Sequence, residues 1–382
     1  MNQTIKWIIG AIVIVVVVVV GYSILKGPSG PISTEPIKIG FIGALSGDAT
    51  TYGEPARAGV EIAIDEINKA GGVKGRQLQV IFEDGKCSGK DAASAAQKLV
   101  SVDAVKYIIG GSCSGETLAF VPITEKAKAL VITPSATSPD ISNAGDFIFR
   151  TVPSDALTGK FLASIVVKKY KKVAIITENT AYATALRQVF QDEFKKLGGT
   201  IVADEIFPPE TYDFRSNLGK IKIAKPEAIF INTQADKKAG AVVKQTRELD
   251  IKVQLYDAYW TGQDFLNAAG TAGEGIITVD APGLNLNNPK AAAVLNTYKA
   301  RYNREPALVY YLGSGYDAVY VFVEAMTRVG LDTEVMKNYL KSDLKEFSGA
   351  VGTYHFDEHG DVIGISPVLK TVSSGKFVEY TE

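Results

Sequence analysis

The sequence predicts an α/β protein of two lobes, each a doubly wound, Rossmann-like sheet with helices between its strands. Three observations lead to this fold class. The chain has 382 residues, of which 46% are hydrophobic, which is enough to fill two ordinary domains. Apolar segments of strand length alternate with helical segments in two successive sets. Two strands also run directly into loops of small polar residues, as strands do at the ligand-binding edge of a parallel sheet.

The first 26 residues predict a helix that anchors the chain in a membrane. Lys6 and Lys26 enclose nineteen residues without a charge, WIIGAIVIVVVVVVGYSIL. As a helix, this segment is long enough to cross a hydrocarbon core about 30 Å thick. A cleaved signal peptide is the alternative, but its apolar region is shorter and ends in a small-residue cleavage site, which this segment lacks. Residues 27–36 read GPSGPISTEP, a linker between the anchor and the body.

The two alternating sets follow the linker. The first set has predicted strands at 37–43, 78–84, 107–109, 130–132 and 147–150, and predicted helices at 55–69, 90–100 and 115–127. The second set has predicted helices at 156–170, 182–197, 214–224 and 237–249, and predicted strands at 172–177, 200–207, 228–232 and 253–257. Predicted helices at 290–302, 308–329 and 333–342 then precede short strands near 351–356, 365–370 and 377–380. We expect right-handed crossovers and parallel sheets.

Hydroxyl side chains crowd the loops that follow two neighbouring strands of the first set. They are Ser112, Ser114, Thr117, Thr133, Ser135 and Thr137. Hydroxyl groups, together with the free N–H groups at the start of the next helix, suit a small anion such as a carboxylate. The two loops therefore predict recognition of a small polar molecule without a lysine or an arginine.

The chain has two cysteines, Cys87 and Cys113, each near the end of a predicted strand. A disulfide between them would close a loop of about 26 residues. Two cysteines in a secreted chain pair more often than not, and two free buried thiols are the alternative. A disulfide would place the body outside the cytoplasm, tethered to the cell membrane by the N-terminal helix.

Several motifs, in this order and spacing, resemble a known family. They are IKIGFIGALSGDATTYG, FEDGKC, IIGGSCSGET, LVITPSATSPD, FRTVPSD and TYHFDEHGD. Residues 37–380 resemble the type I periplasmic solute-binding proteins, in the leucine/isoleucine/valine-binding branch that serves ABC importers. Cys87 and Cys113 fall where that family has its disulfide.

The resemblance implies a fold and a function. One lobe would comprise residues 37–152 plus 284–366, and the other residues 153–283 plus 367–382, joined by a three-segment hinge. The lobes would close on an amino acid, or on a related small carboxylate, outside the cytoplasm. The protein would then deliver it to an ABC permease driven by an ATPase, with no catalytic step and no cofactor of its own.

The resemblance also implies ligand-binding residues in the first lobe. Ser114, with Gly115 after it, matches the position that holds the ligand carboxylate, although a serine there also suits the start of a helix. The loop of Ser135, Ala136 and Thr137 would offer a carbonyl to the ligand ammonium and a hydroxyl and an N–H to the ligand. Plain turn hydrogen bonds are the alternative for these hydroxyls.

The resemblance further implies that Tyr52 covers the ligand side chain from the first lobe and that Tyr182 reaches it from the second. At the ammonium-binding position of the second lobe, however, the sequence departs from the family pattern. Amino-acid binders of this branch have a second-lobe glutamate for the ammonium, and Tyr259 stands in its place here. Asp257 is the substitute that we expect, because a buried ammonium needs a counter-charge. If Asp257 does not reach, the ligand would be a carboxylate without an amine.

Other function classes are disfavoured. The net charge of −1 and the scattered lysines lack the basic patch of a nucleic-acid surface. The chain has neither the dinucleotide-binding nor the P-loop glycine pattern, and its two histidines lie in one predicted hairpin, which disfavours a metal site or a catalytic triad. A ligand-sensing domain of the same fold, acting on a signalling partner, is the alternative to a transport protein.

Overall fold

The computed structural model describes residues 35–259 and 261–381, which form two α/β lobes. Each lobe has its own central sheet with helices packed on it, as the alternation of strands and helices predicts. The predicted membrane anchor lies outside the described residues, as does the predicted linker up to residue 34. Within the part of the chain that is described, no helix is both long and apolar enough to span a bilayer.

The first lobe has a sheet of five parallel strands, and helices connect them. The strands are β1 (Ile37–Gly43), β2 (Leu78–Asp84), β3 (Tyr107–Gly110), β4 (Leu130–Thr133) and β5 (Ile148–Arg150). The helices are α1 (Thr50–Lys69), α2 (Gly89–Ser101) and α3 (Ser114–Lys126). The strands lie in the order β2-β1-β3-β4-β5 with every neighbouring pair parallel, so their carboxyl ends meet at one edge.

The second lobe has a sheet of seven strands, five of which are parallel. The parallel strands are β6 (Lys172–Glu178), β7 (Thr200–Phe207), β8 (Ala228–Asn232), β9 (Gln254–Ala258) and β10 (Ile277–Asp280). The helices are α4 (Asp155–Lys169), α5 (Ala181–Lys196), α6 (Arg215–Ala224), α7 (Asp236–Glu248) and α8 (Gln263–Ala269). Two of these five helices carry a side-chain cap: Ser154 accepts a hydrogen bond at the start of α4, and Thr180 accepts one at the start of α5.

The C-terminal part of the chain contributes to both lobes. Its helices are α9 (Pro289–Tyr302), α10 (Val309–Val329) and α11 (Thr333–Asn338), and a π-helical turn at Tyr339–Asp343 extends α11. A small antiparallel sheet follows, made of β11 (Phe347–Ser348), β12 (Thr353–Phe356) and β13 (Val362–Ile363). The last strands join the second sheet: β14 (Val368–Ser373) pairs antiparallel with β10, and β15 (Lys376–Glu379) pairs antiparallel with β14, giving the order β15-β14-β10-β9-β8-β6-β7.

Helices α1 and α10 cross closely in the first lobe, and two glycines permit the approach. A Cβ atom on Gly59 would lie 2.0 Å from the carbonyl oxygen of Leu312. One on Gly315 would lie 2.2 Å from the carbonyl oxygen of Ala56. A larger residue at either position would therefore push the two helices apart. This crossing positions the N-terminal end of α1, which carries Tyr52, at the cleft.

The chain passes between the two sheets three times. It leaves the first sheet after β5, leaves the second sheet after β10, and enters the second sheet again at β14. Three adjacent connections between two compact lobes are suited to hinge motion. The residue limits given above for the two lobes stay a prediction.

Some boundaries differ from those that the sequence predicts. Helix α1 begins at Thr50, before the predicted start at Pro55, so Tyr52 is a helical residue. Two buried residues, Tyr52 and Gly53, lie in the first turn of the helix, before Pro55. Sequence reasoning also missed α8, of 7 residues, and β10, of 4 residues.

Candidate ligand-binding site

Two loops at the carboxyl edge of the first sheet carry the predicted hydroxyl groups. The loop after β3 is bonded to the loop after β4, since the Ser135 hydroxyl donates to the carbonyl of Ser112 at 2.9 Å. A second bond joins the loops where the N–H of Ser138 donates to Oγ of Ser114 at 3.1 Å. All four residues are buried. The two loops thus form one hydrogen-bonded surface.

Glu116 holds the first of these loops in place. Its carboxylate accepts hydrogen bonds from the N–H groups of Ser112 (2.7 Å), Cys113 (2.9 Å) and Cys87 (2.8 Å). Burial raises the pKa of Glu116, and the three backbone donors oppose that rise. Sequence reasoning missed this residue, although a glutamate three positions into a helix is a capping-box signal.

The predicted disulfide is confirmed. Cys87 and Cys113 are bonded, with their Cα atoms 5.3 Å apart. The bond fixes the loop after β2 to the loop after β3. The Glu116 carboxylate also joins the two loops, because it accepts hydrogen bonds from the N–H groups of Cys87 and Cys113. The disulfide therefore gives covalent support to the loop after β3, which carries Ser112 and Ser114.

A cavity of about 310 Å³, including its mouth, lies beside these loops and between the lobes. Its lining residues are Tyr52, Ser112, Ser114, Ser135, Thr137, Tyr182, Gln234, Tyr259 and Tyr311. Six of these nine residues are among those that the sequence predicts. Of the other predicted residues, Gly115 lines a neighbouring cavity, and Ala136 and Asp257 are buried outside both.

Three lining residues were not among the predicted ones. Ser112 belongs to a loop that the sequence singles out, so the signal was present. Tyr311 comes from α10 and contacts the ring of Tyr52 edge-on, with the ring centroids 5.6 Å apart. A tyrosine on an apolar helix is typical of a core residue, so no local pattern identifies Tyr311. Gln234 lies in the loop after β8, in the second lobe.

The directions of the hydrogen bonds indicate what each hydroxyl can offer a ligand. Oγ of Ser114 accepts from Ser138, so the hydroxyl proton of Ser114 can be donated to a carboxylate. The Thr137 hydroxyl donates to Oδ2 of Asp155 at 2.7 Å, so its oxygen can accept from an ammonium. Among the described residues, no lysine or arginine lines this cavity.

Two buried carboxyl groups lie close to the cavity without lining it. Asp155, at the start of α4, lies behind Thr137, and burial raises its pKa to about 7 although Thr137 and the nearby charge of Arg150 favour the ionised form. Asp257 lies on β9, and burial raises the pKa of its carboxyl well above the ordinary value. A cation bound nearby would favour the charged form of both groups.

Arg150 holds the loop after β4 in place through hydrogen bonds to two of its carbonyl groups. Its side chain is fully buried, and its Nη1 donates to the carbonyl oxygens of Thr137 (3.0 Å) and Ser138 (2.9 Å). Its Nε donates to Asp361 at 2.6 Å and its Nη2 to Ser142 at 2.5 Å. The planar guanidinium therefore connects the loop to the hairpin after β12.

The lobes touch across the cleft at Tyr52. This first-lobe phenol donates to Oδ1 of Asp236 at 3.0 Å and lies 3.3 Å from the carbonyl oxygen of Gln234, both in the second lobe. The other oxygen of Asp236 accepts from the N–H of Gly262 at 2.8 Å. Burial raises the pKa of Asp236 to about 7. The cleft is therefore closed over the cavity at this point.

The two histidines lie in the hairpin between β12 and β13. His355 is in β12, and His359 is in the turn that follows it. In the described part of the chain, no three metal-ligating side chains are grouped closely enough to hold a metal ion.

The family model of the periplasmic binding proteins matches residues 36–374 of this chain. The chain belongs to that family. A curated relative of this periplasmic binding protein is the leucine-, isoleucine-, valine-, threonine- and alanine-binding protein of Pseudomonas aeruginosa. The two are 29% identical, over 86% of this chain and 88% of the relative. The Leu/Ile/Val-binding protein of Escherichia coli is 28% identical, over 86% of this chain and 89% of its own length.

Solved structures agree with this assignment. A leucine-binding protein of Thermotoga maritima has a TM-score of 0.81 and 27% identity, covering 90% of this chain and 98% of its own. A branched-chain amino acid transporter substrate-binding protein of Streptococcus pneumoniae was solved with isoleucine. It has a TM-score of 0.78 and 30% identity, and the match covers 90% of this chain and 100% of its own. The relatives are solute-binding proteins and not enzymes.

The buried carboxyl groups should make this periplasmic binding protein less stable as the pH rises from 5 to 8. Burial raises the pKa of Asp155, Asp236 and Asp317 from 3.8 to about 7. Between these two pKa values the folded chain binds more protons than the unfolded chain, so the free energy of unfolding falls as the pH increases. The fall should level off above about pH 7, where both states have lost these protons.

The variant Asp317→Asn isolates one of these groups away from the cleft. Asp317 accepts from the N–H groups of Ala350 (2.6 Å) and Val351 (3.1 Å). Urea unfolding at several pH values should show a slope that is shallower by up to about 1.4 kcal/mol per pH unit in the variant. An identical slope in the two proteins would show that the Asp317 carboxyl titrates in the folded chain as it does when unfolded.

Proposed function

We propose that this protein is the substrate-binding component of an ABC importer and that it captures an amino acid between its lobes. The observation that carries the proposal is the cavity in which hydroxyl groups of the first lobe face tyrosines of both lobes. Relatives over most of the chain are named for binding leucine, isoleucine and valine. A branched-chain amino acid, or a related small amino acid, is therefore the proposed ligand.

The ligand carboxylate would bind at the hydroxyl loop. The Ser114 hydroxyl would donate to it, together with the N–H groups of the first turn of α3, including Gly115. The partial positive charge at the start of a helix adds to this attraction. The support for this orientation is the bond from Ser138, which leaves the hydroxyl proton of Ser114 available.

The ligand ammonium would bind on the other side of the same loop. The oxygen of Thr137 and the carbonyl of Ser135 would accept from it, and Ala136 would keep the loop compact. The counter-charge would come from the buried carboxyl group of Asp155, which already accepts from the Thr137 hydroxyl, since Asp257 does not line the cavity. The ligand side chain would pack against the phenol rings that line the cavity: Tyr52, Tyr182, Tyr259 and Tyr311.

The proposed location is the outer face of a cell membrane. The apolar segment at residues 1–26 would tether the protein there, beside its permease. The disulfide supports a place outside the cytoplasm, because such bonds persist in oxidising compartments. The ATPase and the permease would be separate proteins.

Calorimetry with the full-length chain in detergent tests this function. L-Leucine, L-isoleucine and L-valine should bind. 4-Methylpentanoate, which lacks the amine, and L-leucinol, which lacks the carboxylate, should each bind at least about tenfold more weakly, because a hydrogen bond to a charged group contributes about 1.5–3 kcal/mol. If L-leucine bound no better than 4-methylpentanoate, the ammonium site would be wrong. If none of the amino acids bound, the proposed function would be wrong.

A further inference from the structure

A second, larger cavity lies in the cleft beside the first. With its open mouth it measures about 1090 Å³, and residues of both lobes line it. First-lobe residues on its wall include Asp48, Lys86 and the disulfide of Cys87 and Cys113. Nothing in the function proposed so far assigns a role to a space of this size.

The two cavities share a wall. Ser114 lines the first cavity, and the next residue, Gly115, lines the second. Gln234 lines both. Its N–H donates to Glu178 at 2.7 Å, while its side-chain amide makes no hydrogen bond within the described part of the chain. A ligand bound at Ser114 can therefore extend past a movable polar side chain into the second cavity.

The walls of the second cavity suit a methylene chain that ends in an anion. Ala49, Ala181, Ala235 and Pro209, with the disulfide, give it an apolar part. The cationic groups on its wall come from both lobes: Lys86 from the first, and Lys237 and Lys238 from the second.

Most charged groups of the second cavity are already paired within the protein. Lys238 and Glu178 form a buried ion pair at 2.5 Å, and Lys238 also donates to the carbonyl of Pro209. The second oxygen of Glu178 is taken by the N–H of Gln234. Asp48 accepts from the phenol of Tyr212 at 3.2 Å. Lys238 and Glu178 therefore balance each other, whereas Asp48 keeps its negative charge, because a phenol donates a hydrogen bond without neutralising a carboxylate.

The other charged groups of the second cavity are Lys237 and Lys86, so two positive charges stand against the one negative charge of Asp48. Lys237, in the second lobe, forms no hydrogen bond or ion pair with any described residue. Lys86, in the first lobe, makes one long contact with Asp91, at 3.4 Å, and its side chain is 54% exposed. The second cavity thus combines an apolar wall with one uncommitted and one weakly committed ammonium group, on opposite sides of the cleft.

We infer that, besides the small amino acids proposed above, the cleft binds a longer one that extends from the first cavity into the second and whose side chain ends in a carboxylate, which Lys237 and Lys86 bind as the lobes close. This inference rests on the proposed function, since the α-carboxylate and the ammonium remain in the first cavity. The ligand class is an α-amino acid with an acidic side chain, of about the length of 2-aminoadipate.

Two probes that differ only at the end of the side chain test the inference. L-Norleucine ends in a methyl group where L-2-aminoadipate ends in a carboxylate. Calorimetry on the full-length chain should show about tenfold tighter binding of L-2-aminoadipate, the size of one charge-assisted hydrogen bond. Lys237→Met should remove most of this advantage and leave the affinity for L-norleucine within about twofold. Lys376→Met, at an exposed lysine on β15, should change neither affinity.

The outcomes separate this inference from the function on which it rests. If L-leucine and L-norleucine bind but L-2-aminoadipate binds no tighter than L-norleucine, the acidic-ligand inference is overturned and the amino-acid function stands. If Lys237→Met weakens both probes equally, the lysine does not bind the side-chain carboxylate, and the inference is again overturned. If no amino acid binds, the proposed function itself fails.

Discussion

Replacing Arg150 with methionine should lower the free energy of unfolding by about 3–5 kcal/mol, the usual cost of removing one partner from a buried ion pair. The guanidinium is fully buried and is the only cation among the described residues that pairs with Asp361. Its loss would also leave the carbonyl oxygens of Thr137 and Ser138 without their donor. Urea denaturation of the two proteins measures the difference.

The same substitution should weaken ligand binding, because Arg150 positions the loop of Thr137. Arg150→Lys keeps the charge but lacks the planar fork of donors, so we expect an intermediate loss of stability. Arg301→Met is the matched control. Arg301 and Asp65 form an exposed ion pair, and breaking it should cost about 1 kcal/mol or less. If Arg150→Met lowered the free energy of unfolding by no more than Arg301→Met does, the stabilising role of the buried guanidinium would be contradicted.

Replacing Ser114 with alanine should weaken the binding of the amino acid by about 1–3 kcal/mol, which is roughly 5- to 150-fold in affinity. The substitution removes the hydroxyl that we propose donates to the ligand carboxylate. It also removes the acceptor of the Ser138 N–H, so the unliganded protein should lose about 1 kcal/mol of stability as well. Calorimetry and thermal unfolding measure the two effects separately.

Ser94→Ala is the control for this prediction. Ser94 lies on α2 far from the cleft, and its hydroxyl donates to the carbonyl of Lys90 on the same helix. Its replacement should alter neither the affinity nor, beyond a few tenths of a kcal/mol, the stability. An affinity for L-leucine that was the same in Ser114→Ala and in Ser94→Ala would show that the carboxylate binds elsewhere.

The hydroxyl loops could be predicted from the sequence because their geometry follows from local rules. A short apolar strand followed by Ser and Thr residues and then by a helix places those hydroxyls at the carboxyl edge of a parallel sheet. Ser114, Ser135 and Thr137 do lie together at that edge, on one wall of a cavity. The pairing of Cys87 with Cys113 was predictable for the same reason, since both follow strands at this edge: β2 and β3, which lie on either side of β1.

The partners that come from distant parts of the chain could not be predicted in this way. Arg150 ends a strand, and nothing near it in the sequence indicates that it bonds Asp361, which is 211 residues away. Tyr311 reaches the cavity only because α10 crosses α1 closely. The contact of Tyr52 with Asp236 depends on how the two lobes close, which no local pattern encodes.

The most direct measurement is a crystal structure of the protein grown with saturating L-leucine, and with L-2-aminoadipate in a parallel experiment. We predict the α-carboxylate within hydrogen-bonding distance of the Ser114 hydroxyl and the ammonium beside Thr137, with the lobes closed over both. An empty cleft at saturating ligand, or an amino acid bound outside it, would contradict the central claim that the ligand binds between the lobes with its α-carboxylate and ammonium on the hydroxyl loops of the first lobe.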